Sequence, residues 1–167
     1  MEKFAGKMER LLQEKLFLYQ ELLNILEEEK SYIVDMEIDS LWGTISRKKS
    51  LALNIESVGQ KIFSLFDEIY SSLNIDAQSF NLSHMIKIMN VSSEKRAGLR
   101  KINLAINTCK KEIAILASEN KNFINEYLAI IDGVFSTVLD TPNEEKYNHS
   151  GTVLKNDGKS YLINTEV

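Results

Sequence analysis

The chain has 167 residues, 44% of them hydrophobic, with seven Gly, a single Pro, and 20 basic against 24 acidic residues for a net charge of −4. That length supports one domain with a sizeable core, and the shortage of Gly and Pro favours long helices. No block of Lys or Arg stands out, which argues against nucleic acid or an anionic membrane as partner; the single Cys excludes an internal disulfide and fits a reducing compartment.

The first predicted helix runs from about Glu2 to Asp35. Phe4, Met8, Leu11, Lys15, Leu18, Leu22, Leu26 and Ile33 recur along it at the spacing of a helix that buries one face. Leu12, Leu16, Tyr19 and Leu23 widen that face enough to meet more than one neighbour, while Glu27, Glu28 and Glu29 read as a solvated face. A tight turn around Met36 to Asp39 follows, with Asp39 as the expected N-cap. The second helix covers about Ser40 to Leu73. Its seam is Leu41, Ile45, Ala52, Ile55, Gly59, Ile62, Phe66, Ile69 and Leu73, with Lys48 snorkelling beside it. Trp42, next to the turn, is expected to cap the end of the pair. Two helices of similar length joined by a few residues should pack antiparallel.

Asn74 to Asn81 breaks the pattern. Leu82 to Met89 then reads as a short amphipathic helix crossing the end of the hairpin, and Ser92 or Ser93 caps a long helix that ends near Leu139. One stripe on the long helix carries Leu99, Ile102, Ile106, Cys109, Ile113, Leu116, Phe123, Tyr127, Ile130 and Val134, with Asn120 as its polar member. A second stripe opens near the C-terminal end at Ile124, Leu128, Ile131, Phe135 and Val138; upstream it becomes small or charged. At ~1.5 Å per residue the last helix is roughly 70 Å long against roughly 50 Å for each of the others, an excess of about 13 residues. Uncovered, that excess exposes an apolar patch of the size that marks an interaction site. Alternatively the tail folds back over it, or a dimer covers it.

After Asp140 and Pro142 the tail is polar. Thr152 to Ile163 forms a local hairpin signal around Asp157-Gly158. The expected fold is therefore all-α: an antiparallel bundle of three long helices plus one short connecting helix over residues 1–139, and a C-terminal tail over 140–167 that holds a small β-hairpin.

Signatures of catalysis are missing. His84 and His149 lie in different segments without a Glu-x-x-His pair, and Cys109 sits on the core stripe as an inert buried thiol. The sequence holds no Gly-rich phosphate loop, no Gly-x-Ser-x-Gly and no metal-spaced Cys/His set. No catalytic residue, metal site or cofactor is expected. Apolar runs fall short of the ~18 residues a membrane span needs, and Met-Glu-Lys-Phe lacks the apolar core of a signal peptide, so a cytoplasmic location without membrane insertion is expected.

The run Leu22-Leu23-x-x-Leu26-Glu27-Glu28-Glu29-Lys30-x-x-Ile33, followed by Glu37, Ile38-x-x-Leu41, Ile45, Lys49 and Leu51, resembles the FlgN-type flagellar export chaperones. The likeness extends over the chain: a leading hairpin, a connector, a long last helix, and a tail opening with Tyr147-x-x-x-Gly151. Met36-Glu37 departs from it, standing where a small residue followed by an acid is expected. The resemblance implies a bacterial cytoplasmic chaperone of flagellar type III secretion, without enzymatic activity. Its partners would be the C-terminal segments of hook-associated proteins, held by Ile124, Leu128, Ile131, Phe135 and Val138, and the cytosolic domain of the export gate. The resemblance in the tail assigns gate docking to Tyr147. The competing reading is a structural coiled-coil adaptor that forms a homodimer through the same end and carries no export client.

Overall fold

The computed structural model describes residues 2–73 and 82–139. These form four helices: α1 (Glu2–Val34), α2 (Ile38–Leu73), α3 (Leu82–Ile88) and α4 (Ser93–Leu139). Among the described residues there is no strand, so the all-α expectation holds; the tail hairpin at 152–163 and Tyr147 lie outside them. By packing, one unit ends at Ile124 and a second begins at Asn125.

α1 stops at a left-handed residue. Met36 has φ 56°, its amide donates to Ile33 O (3.3 Å), and the Glu37 amide donates to Tyr32 O (2.9 Å). These two bonds define a Schellman ending, with Met36 at the position that glycine fills most comfortably. A side chain there costs roughly 1 kcal/mol, which explains in physical terms why a small residue is expected at Met36. α2 begins earlier than Asp39 predicts. The Leu41 amide bonds to Glu37 O (3.0 Å), and Ser40 Oγ donates to Glu37 Oε2 (2.9 Å). Glu37 thus occupies the cap, and Asp39 lies inside the first turn, where its charge still favours the helix N-terminus.

α1 and α2 pack antiparallel. Arg47 Nη1 bonds to Glu28 Oε2 at 2.5 Å, Lys48 pairs with Glu29, and Gly59 lies opposite Lys15. Over the first half of α2 the inward face is rotated from the expected seam, whereas Ile62, Phe66 and Ile69 of that seam are buried as expected. Thr44, Leu51 and Val58 are buried, whereas Ile45 and Ala52 are exposed. Thr44 tolerates burial because its hydroxyl donates to Leu41 O (2.7 Å) within its own helix.

α4 runs in the same direction as α1. Lys95 meets Glu9 (2.6 Å) near both starts; Lys110 stands over the Tyr19 ring (5.7 Å), and Lys30 bonds to Glu119 (2.9 Å) further along. Its cap is Ser92, whose Oγ accepts from the Lys95 amide (3.3 Å). The core joins Met8, Leu12 and Ile25 of α1 to Ile62, Phe66 and Ile69 of α2, Met85 and Ile86 of α3, and Leu99 and Ile106 of α4. Ile113 and Leu116, expected in this core, are only half-buried. Asn103 of α4 bonds to Ser83 of α3 (3.3 Å); Ile113 and Leu116 lie about three to four turns further along.

One polar node ties the three long helices together. Glu29 is only 5% exposed, so it is not part of a solvated acidic face. Its carboxylate accepts from Lys48 Nζ of α2 and from Asn120 Nδ2 of α4 (3.1 Å), and the same amide nitrogen donates to Leu26 O (2.8 Å). Breaking a buried ion pair leaves the partner charge in a poor environment. Lys48, whose side chain is 28% exposed, is able to turn to water, which lowers the penalty. Glu29→Ala should destabilise by about 2–3 kcal/mol in urea denaturation, whereas replacing both Glu29 and Lys48 by Met should come close to neutral. Equal losses in the two variants would show that the node contributes packing alone.

Candidate partner-binding surface

The inward stripe of α4 continues through Phe123 and Tyr127, which are half-buried. Lys30 stands 5.9 Å from the Phe123 ring centroid while bonded to Glu119, closing the contacts with α1. Beyond this point both stripes of α4 are exposed. Of the five residues expected to form a partner face, Ile124 is 38% exposed and Phe135 60%, with Leu128, Ile131 and Val138 between 46% and 61%. All five therefore lie on accessible surface of one helix.

Periodicity assigned Ile130 and Val134 to the core stripe, yet they are as exposed as Phe135. The accessible face is accordingly two stripes wide. A signal was present in the sequence: from 122 to 139 the only charged residues are Glu126 and Asp132. A helix segment without solvating lysines or arginines on either flank is poorly suited to bare solvent. Its residual charge is acidic, which favours a neutral or basic amphipathic partner.

The helix is also soft there. Gly133 has nothing within 4 Å of the position a Cβ would occupy, so no steric demand explains a glycine that weakens a helix by about 1 kcal/mol relative to Ala. Thr137 Oγ1 bonds back to Gly133 O (2.8 Å), a contact that tends to bend helices.

A second accessible apolar surface lies at the α1–α2 turn. Ile38, Trp42 and Ile45 recur at i, i+4 and i+7 on α2 and are 65%, 66% and 47% exposed; Val34 and Met36 add to them. Trp42 therefore does not cap the helical pair by burial, the role expected of it. Rotation of α2 that brings Thr44 inward carries Trp42 and Ile45 outward. Asp35, Glu37 and Asp39 alternate with these apolar residues.

Chemical machinery is not assembled around either surface. Among the described residues no group of His, Cys, Asp and Glu is placed to hold a metal, and no helix is long and apolar enough to cross a membrane. Among the described residues the arrangement is an all-helical scaffold with a wide accessible apolar helix face. The family comparison agrees: the model of the FlgN protein family matches residues 1–155, and the chain belongs to that family, whose members are chaperones of flagellar export substrates. No curated protein and no solved structure matches the chain.

The weak helix at the end of α4 leads to a direct expectation. Gly133→Ala should slow amide hydrogen exchange across residues 125–139 by about fivefold, the equivalent of ~1 kcal/mol. Exchange at Leu12, Ile62 and Leu99 should not change.

Proposed function

We propose that the chain is a bacterial cytoplasmic chaperone whose α4 end holds an amphipathic C-terminal segment of a hook-associated flagellar protein until it reaches the export gate. The three long helices and the short one, over residues 1–139, are the holding part; the tail over 140–167 is the delivery part. The reading rests on family membership together with one observation: Ile124, Leu128, Ile131, Phe135 and Val138, joined by Ile130 and Val134, are accessible on a stretch of α4 with only two charges. Such a face suits a helix-in-groove partner or a helix that adds to the bundle.

Co-purification with hook-associated proteins of the same host tests the proposal. Parent protein should retain a client. Leu128→Asp combined with Phe135→Asp should reduce retention at least tenfold and leave the melting temperature within a few degrees, because both side chains are exposed before substitution. Global unfolding of the double variant would place these residues in the core instead. A concentration-independent dimer of the parent that buries the same face would favour the adaptor reading.

Tyr147 is proposed as the docking point for the cytosolic domain of the export gate, on its place in Tyr147-x-x-x-Gly151. A tyrosine offers a broad apolar ring and a hydroxyl, the combination favoured in interface anchors. Tyr147→Ala should bind client in solution as the parent does, yet secrete several-fold less of it. Unchanged secretion would remove Tyr147 from delivery, and loss of client binding would merge the two sites.

A further inference from the structure

Away from the partner face, two lysines share one cavity with no counter-charge. The cavity, of about 270 Å³, opens between α1, α2, α3 and α4 and is lined by Lys15 of α1 and Lys110 of α4. Around them are the polar side chains of Ser83, Asn103 and Asn107; Leu12 and Ile106 give it an apolar floor. No carboxylate lines it, and neither lysine forms an ion pair among the described residues. Burial, and then the nearby Lys110 charge, hold the Lys15 ammonium below its usual pKa. On the α2 side Glu56 borders an adjoining cleft with Lys15 but makes no ion pair with it. Lys110 itself stands over the Tyr19 ring, at 5.7 Å.

Lys15 is half-buried and Lys110 exposed, so the cost falls on Lys15, which loses hydration and meets a like charge. Replacing that arrangement by a bound anion relieves both penalties at once. The donor set is richer than a carboxylate requires: two ammonium groups, a hydroxyl and the amide nitrogens of two asparagines, one of which already bonds to the Ser83 hydroxyl (3.3 Å). We propose that Lys15 and Lys110, with Ser83, Asn103 and Asn107, form a binding site for a small polyvalent oxyanion of the phosphate class, either free phosphate or the phosphoryl group of a small metabolite. Because the site draws on α1, α3 and α4, occupancy would clamp α3 against α1 and α4. The site is independent of the partner face and of the export reading.

Thermal melts of the full chain in inorganic phosphate, against sodium chloride at equal ionic strength, test this. Phosphate should raise the melting temperature beyond chloride in a saturable way. The half-saturating concentration should rise at least tenfold in Lys15→Met and in Lys110→Met, and stay at the parent value in Lys121→Met, a control on an exposed lysine. Glycerol phosphate binding more tightly than phosphate would identify the phosphoryl group of a metabolite as the source; weaker binding would identify free phosphate. Lys15→Met should also stabilise the anion-free protein at neutral pH. In the parent, the lowered folded-state pKa means that stability rises with pH through the window just below 10.5, where the folded chain gives up its proton first; the variant lacks that rise. An NMR titration of Lys15 in the parent needs no substitution, and phosphate should raise its pKa. Acetate acting as well as phosphate, equal responses in parent and Lys15→Met, or a Lys15 titration indifferent to phosphate would each overturn the proposal.

Discussion

The carboxylate of Glu29 sets the geometry on which the rest depends. Among the described residues it is the one buried acid, and it receives a cation from α2 and an amide from α4 while standing on α1. Apolar seams attract in many registers, but this contact is satisfied in only one. Asn120 Oδ1 has no partner even so, so the node is stabilising only where Glu29, Lys48 and Asn120 all meet. A polar contact of this type gives up some stability relative to an apolar substitute and gains a defined alignment.

The α1–α2 turn shows the converse, where local strain is accepted in the backbone. Met36 holds the left-handed conformation required by the two amide bonds to Ile33 and Tyr32, although glycine fits it at lower cost. Its side chain is also exposed beside Val34, Ile38 and Trp42. Neither the strain nor the exposure contributes to the core. A residue retained against both has a surface role more readily than a packing role.

Several helix boundaries were legible because periodicity and breakers agree: α1 ends within a residue of the expected Asp35, and Ser92 caps α4; the expected break at Asn74 to Asn81 lies outside the described residues. The less legible features all depend on a second helix. Glu29 looks like its neighbours Glu27 and Glu28, and only Lys48 and Asn120, 19 and 91 residues away, make its burial tolerable. The first half of the α2 seam was placed one position off because Ile45 and Ala52 outweigh Thr44 in any hydrophobic count, while the bond from Thr44 to its own helix is invisible to one; its second half, Ile62, Phe66 and Ile69, is buried as expected. Trp42 and Ile45 inherited that error. Likewise Ile130 and Val134 continue the core stripe in period. A periodic pattern states which residues share a face, but not where the facing helix ends.

The α4 stripe is apolar for most of its length, and a slide of seven residues would present an equally apolar face to α1 and α2. Such a slide would remove Asn120 from Glu29, separate Lys30 from Glu119 and part Lys95 from Glu9, contacts that sit along the whole shared length of α1 and α4. The two ion pairs, each between half-buried side chains still open to solvent, weigh less. The buried node weighs several kcal/mol, since the carboxylate would face an apolar side chain. Register is thus held by one buried polar contact. Holding it there fixes which side chains of α4 up to Phe123 meet α1 and α2.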